Sequence, residues 1–220
     1  MFFTKNETTA LQDEVIKKTL TDKDGKTLLY INITYPSFTL KDKNKLKQNA
    51  QPFYERSAKK FLHFAEGDLL DRAKKLSERD AFRPLGAVMK YTNAFEDKHM
   101  LSLYTEISVF DGVNAQNQLR SAQVWSKDKG YIYSFGDIFC TGTKEYLIER
   151  FSTEGNSGNL SAEEYKKCLK HFFNESNFYL TQKAAAFFYP AERLGGRQGL
   201  RVFYVDFGTL IEKKLLKVSV

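Results

Sequence analysis

Leu101-Ser102-Leu103-Tyr104-Thr105-Glu106-Ile107-Ser108-Val109-Phe110 reads as a strand with a period of two. Leu101, Leu103, Ile107 and Val109 fall on one face, and Tyr104 and Phe110 on the other, because successive side chains of an extended chain point to opposite sides. The flanking segments have the same pattern. Gly86 to Phe95 carries Ala87, Met89 and Tyr91 on one face, and Leu119 to Ser126 sets Ala122 and Val124 against Leu119 and Trp125. Short polar links join the three: Glu96-Asp97-Lys98, and a longer one that begins at Asp111-Gly112-Val113-Asn114. Links this short favour an antiparallel meander.

Working outward toward the N-terminus, Pro52 suits the first turn of a helix, where its missing N–H is not needed. Ala58, Leu62, Ala65, Leu69, Ala73 and Leu76 then recur three and four apart, which predicts an amphipathic helix over about 52–78. Gly67 weakens that helix without breaking it. Before it, residues 41–51 are polar and basic and read as an exposed connection. Val15 to Leu20 and Thr27 to Tyr35 form a hairpin around Asp22-Lys23-Asp24-Gly25, with Pro36 ending its second strand. Residues 1–12 are polar and are expected to be loosely ordered.

Toward the C-terminus, a helix is predicted from Thr143 to Phe151. Another opens at Ser161-Ala162-Glu163-Glu164, a capping-box pattern, with Tyr165, Cys168, Leu169 and Phe172 on one face. Phe178–Leu180 and Ala185–Tyr189 form a hairpin around Gln182-Lys183. The strand Leu200–Val205 follows the loop from Pro190 to Gly199. Thr209 to Glu212 opens a short basic terminal helix. The order of hairpin, helix, meander, helices and strands gives an α+β fold, an antiparallel sheet with a long amphipathic helix and two to three shorter helices packed on it. A break near 80–86 divides a hairpin-plus-helix module (13–82) from a meander, helices and strands (83–220); the two can also form one compact unit.

The 220 residues include 42% hydrophobic and 15% aromatic side chains, 19 of them Phe and 12 Tyr, enough to build a core and to exclude global disorder. The formal charge of +7 favours anionic partners such as nucleic acid, acidic lipid or anionic cell-wall polymers, without choosing among them. Cys140 and Cys168 are too few for a disulfide scaffold, and Cys168 falls on an apolar stripe as a buried free thiol. No apolar run approaches the ~20 residues that span a membrane. The first residues lack the pattern of a signal peptide, so the chain is either cytoplasmic or begins after a removed export signal or upstream tether.

Motifs for chemistry are sparse. Cys168 and His171 lie three apart on one helix, a spacing that can bring two metal ligands together, but no second pair accompanies them; no metal and no cofactor are expected. No Gly-x-Ser-x-Gly elbow occurs. His63, near Phe61 and Phe64, reads as a packed structural histidine. Glu106 in its strand and Asp111 in the turn after it are the one carboxylate pair suited to acid–base work on a glycan. Gly195-Gly196-Arg197-Gln198-Gly199, between Arg193 and Arg201, could hold an anion, but a strand follows where a phosphate-binding motif needs a helix.

Several of these segments together resemble a known family. They are Leu101 to Gly112, Tyr131-Ile132-Tyr133-Ser134-Phe135-Gly136-Asp137-Ile138-Phe139, Asn177-Phe178-Tyr179-Leu180-Thr181-Gln182-Lys183, Ala186-Phe187-Phe188-Tyr189-Pro190 and the strand Leu200–Val205. The set resembles a bacterial extracytoplasmic domain of unknown function found in lysozyme-sensing anti-sigma factors and beside peptidoglycan deacetylase domains. The Tyr35-Pro36 strand and the long helix resemble the module that often precedes it, and the likeness runs from about residue 13 to 215. In that family a Tyr-x-Gly-Gly-Ala-His-Gly turn often follows the second meander strand. Here Phe110-Asp111-Gly112-Val113-Asn114-Ala115-Gln116 stands in its place, so no role tied to that turn carries over.

The resemblance implies an envelope-associated domain that binds or senses a cell-wall component or a secreted protein and performs no catalysis. Tyr104, Phe110, Asp111, Asn114, Trp125, Arg193, Arg197 and Arg201 are the candidate contacts, since loops on a rigid sheet carry such contacts. Two other readings stay open. One is a glycan-active hydrolase or its accessory domain using Glu106 and Asp111; the other is a cytoplasmic binder of anions. Nucleic acid is disfavoured among the anions, because the aromatics near Lys41, Lys43, Lys45 and Lys47 form no stacking register.

Overall fold

The computed structural model describes residue 9 and residues 11–111, 114–154 and 160–218; of residues 114–117 the backbone alone is described. The fold is α+β, as the pattern predicts. Strands β1 (Leu11–Thr21) and β2 (Thr27–Phe38) are followed by helix α1 (Lys45–Phe64), a π turn (Ala65–Leu69) and helix α2 (Leu70–Ser77). Then come β3 (Leu85–Glu96), β4 (Met100–Asp111) and β5 (Asn114–Ser126). After them are α3 (Phe135–Ile138), α4 (Thr143–Thr153), α5 (Ala162–His171), β6 (Phe178–Leu180), β7 (Ala184–Pro190), a 3-10 turn (Ala191–Leu194), β8 (Leu200–Asp206) and α6 (Phe207–Glu212). One sheet runs β1-β2-β3-β4-β5, and a second runs β6-β7-β8.

The chain divides into two compact units. One holds Thr9–Thr92 and Thr105–Arg120; the other holds Asn93–Tyr104 and Ser121–Val220. In the first unit, β1 and β2 form the expected antiparallel hairpin, with Val15 opposite Thr34 and Leu20 opposite Leu29. The join to β3 is parallel, pairing Leu29 with Leu85 and Ile33 with Met89. The reason is the intervening helix: it carries the chain back across the sheet, the crossover geometry of a β-α-β unit. Strand β2 also continues through Pro36 to Phe38, where the sequence suggests a stop. Its ladder with β3 covers only Leu29–Ile33, so beyond that stretch proline removes no bond from that side.

The long helix starts earlier than Pro52. Asn44 caps it, its side chain accepting a hydrogen bond from the Lys47 amide, and Leu46 and Ala50 extend the buried stripe through Tyr54, Ala58 and Phe61. Residues 45–51 are therefore helix, not a connection, and Pro52 sits inside it. Pro52 and Gln48 are both exposed, so solvent reaches the carbonyl that proline leaves without a partner. The buried residues are mostly four apart, wider than the 3.6 residues of an α-helical turn, and the wider π turn at Ala65–Leu69, which contains Gly67, takes up the drift. The stripe packs on Leu29, Ile31, Ile33, Ala87, Met89 and Val109, all buried. His63 points away from this core and is exposed, because it lies between the buried positions Phe61 and Ala65.

In the second unit, phenylalanine is the most frequent residue of the core. Phe151 stacks on Phe203 at 4.2 Å, and Phe135, Phe139, Phe178 and Phe187 contact one another edge-on or tilted. Each such ring buried contributes about 2–3 kcal/mol, with a further increment from ring geometry. Ser161 and Glu164 form the expected reciprocal cap on α5. The terminal helix opens three residues before Thr209: Asp206 is its cap and accepts from the Thr209 amide and hydroxyl, while Lys213, Lys214 and Lys217 follow the helix. A carboxylate here outcompetes a threonine hydroxyl as acceptor. Both cysteines are free and half-buried, so Cys168 is less enclosed than its stripe suggests. Among the described residues, no helix is long and apolar enough to cross a membrane.

Candidate functional site

The helix covers one face of the first unit's sheet, and the opposite face carries a different set of side chains. Tyr30 on β2 pairs with Gly86 on β3. A Cβ placed on Gly86 would lie 3.4 Å from the Cβ of Phe110 on β4 and 3.5 Å from its Cδ2, so the Phe110 ring lies over the glycine. Tyr30, Gly86 and Phe110 thus form a row across three strands, with Tyr30 52% exposed. Had residue 86 a large side chain, the ring could not settle there; Gly within a strand marks such close approach.

Two residues along each strand, the pleat returns to the same face. Asn32 pairs with Val88. The Asn32 side-chain oxygen is buried and has no hydrogen-bond partner, an arrangement that costs about 1–3 kcal/mol unless a partner is supplied. One further step along the pleat lie Thr34, Lys90 and Glu106. Arg120 on β5 donates to the Glu106 carboxylate at 2.7 Å, and Gln118 approaches the same oxygen at 3.4 Å. The surface therefore grades from an aromatic row through an amide to a fixed ion pair, the mixture of stacking area and placed polar groups that recognition sites use.

This geometry does not favour acid–base catalysis by Glu106 and Asp111. Strand β4 runs on to Asp111, which is its last residue and not part of a turn. Five residues of strand separate the two carboxylates by about 17 Å and put them on opposite faces, against about 5–9.5 Å in glycosidase pairs. Arg120 also holds the Glu106 carboxylate in an ion pair. Among the described residues no group of three or more His, Cys, Asp or Glu could hold a metal ion. The His171 ring sits edge-on to Phe172 at 4.6 Å.

Of the residues expected to make contact, Phe110 lies in the aromatic row and Asp111 is exposed at its strand end. The Asn114 side chain and residues 112 and 113 lie outside the described residues. Tyr104 joins a separate cluster in the second unit: its ring is 4.8 Å from Tyr179, whose hydroxyl is 3.3 Å from that of Tyr204, itself 53% exposed. Trp125 is buried at 3% exposure. Arg193 lies over Phe172 at 5.2 Å and Arg201 over Phe203 at 5.4 Å, each occupied by a cation–π contact, while Arg197 is exposed. Tyr30, Asn32 and Gly86 are absent from the sequence-based set. The signal was present in a glycine inside a strand, but its meaning depends on the parallel register that sets Tyr30 beside it.

No family model and no curated protein sequence matches the chain. Solved structures do. A member of the DUF3298 family from Bacteroides fragilis superposes with a TM-score of 0.61 at 16% identity, covering 97% of this chain and 96% of the other. A DUF3298 family protein from Pseudomonas aeruginosa gives 0.63 at 13% identity, covering 96% of each chain. At these identities the likeness speaks of fold, and over nearly its whole length the chain has the fold of DUF3298 family proteins.

Proposed function

We propose that the chain is a non-enzymatic, envelope-associated binding or sensing domain that recognises a glycan component of the cell wall through the part of its five-stranded sheet, on the face opposite helix α1, that carries Tyr30 and Phe110. The observation that carries this reading is the row Tyr30–Gly86–Phe110, with Tyr30 half exposed. Flat aromatic rings stack on the apolar faces of sugars. The Glu106–Arg120 pair adds a fixed polar boundary.

The likeness of the segments around Leu101 to Gly112 and Asn177 to Lys183 to an extracytoplasmic family supports placing this domain outside the cytoplasm, in a protein that is exported or tethered. A secreted protein is the second ligand class consistent with an exposed sheet face of this kind. Sedimentation with purified peptidoglycan, set beside titration with a lysozyme and with Tyr30→Ala and Phe110→Ala variants, separates the two.

A further inference from the structure

The outer face of α1 has a charge pattern that the sheet face does not share. Arg56, Lys59, Lys60 and His63 are all exposed and lie within about two turns of the helix. None of the four side chains takes part in a hydrogen bond or ion pair among the described residues, whereas Lys18, Lys47 and Lys74 are each matched with a carboxylate. The one acid within α1, Glu55, is half-buried and accepts from Gln51 at 2.8 Å. Glu66, just beyond, is engaged by Lys18. Asp68 is the first exposed carboxylate, one turn past Phe64. Phe64 borders the basic stretch and is 40% exposed although its ring packs on Phe61 at 6.2 Å.

From this arrangement we infer that the outer face of α1 docks on an anionic lipid bilayer surface. Unmatched positive charge on one helix face is attracted to acidic headgroups, and an exposed aromatic at its margin can enter the headgroup boundary. Charge complementarity selects the partner: a neutral surface gains nothing from Arg56, Lys59 and Lys60, and a polyphosphate in solution gains nothing from Phe64. The buried stripe of α1 is already committed to the protein core, so the contact is peripheral and depends on salt.

The test is co-sedimentation of the intact chain with vesicles of phosphatidylglycerol and phosphatidylcholine in equal parts, and with vesicles of phosphatidylcholine alone. The expected result is binding to the acidic vesicles only, lost at high salt. Neutralising Arg56→Gln, Lys59→Gln and Lys60→Gln together should lower it on the order of a hundredfold, at about fivefold per charge. These positions are solvent-facing, so circular dichroism of the variant should match the parent. Phe64→Ala should weaken vesicle binding severalfold with the charges intact. Equal binding to both vesicle types, unchanged binding by the triple variant, or capture of polyphosphate without capture of vesicles would each overturn the inference.

Discussion

The Phe110 ring lies over Gly86, 3.5 Å from where a side chain would begin, and this contact spreads an aromatic surface beside Tyr30. A bare Cβ at that distance is an ordinary van der Waals neighbour, but anything longer displaces the ring. Gly86→Ala should therefore change stability by no more than about 1 kcal/mol and leave glycan binding within a few fold. Gly86→Val should retain the fold while lowering binding by about tenfold or more, since Phe110 must move. Circular dichroism and peptidoglycan sedimentation on both variants check this.

A second expectation concerns the second unit. The Leu180 amide donates to the Ser102 hydroxyl at 2.9 Å, and both residues are fully buried. Ser102→Ala strands that amide without a partner, so urea denaturation should show a loss of about 1–3 kcal/mol.

Gly195 has φ of 73° and follows the 3-10 turn. A Cβ there would sit 2.7 Å from the Leu160 side chain, so alanine meets both a left-handed backbone and a clash. Gly195→Ala should destabilise by about 1–3 kcal/mol, read as a lower urea midpoint. The glycine cluster that suggested an anion loop is, at this position, a requirement of the turn.

Alkaline pH gives a directional test. Burial raises the Tyr189 hydroxyl above its ordinary 10.0, with nearby Tyr165 adding to the effect. Tyr91 is raised by burial first and then by its 2.7 Å hydrogen bond to Asp13. Both groups stay protonated in the folded chain at a pH where the unfolded chain ionises. Their contribution is complete below about pH 10 and is lost as pH rises through the folded values. Stability should fall above pH 10, and Tyr189→Phe should flatten part of that fall; an alkaline limb identical to the parent's would contradict the assignment.

The fold was legible where side-chain periodicity acts alone. The hairpin around Asp22–Gly25, the alternation of Leu101 to Phe110 and the Ser161–Glu164 cap are local patterns, and each appears as read. What periodicity cannot encode is the partner of a strand. The parallel join of β2 to β3 depends on the path of the helix between them, and the separation of β6-β7-β8 into its own sheet depends on which faces the phenylalanines of the second unit fill. The site was less legible for the same reason. Phe110 was visible as an outward aromatic, but Tyr30 is 80 residues away and meets it only across Gly86. Trp125 and Arg201 have the composition of contact residues, yet burial takes the first and Phe203 the second.

The most direct test of the binding reading is isothermal titration of the chain with soluble peptidoglycan fragments, run in parallel on Tyr30→Ala. Tyr30 is half exposed, so its removal leaves the core untouched. The account predicts measurable binding by the parent and a loss of about tenfold or more in the variant, the scale of a central aromatic contact. Binding that Tyr30→Ala leaves unchanged, or no binding of glycan by the parent, would contradict it.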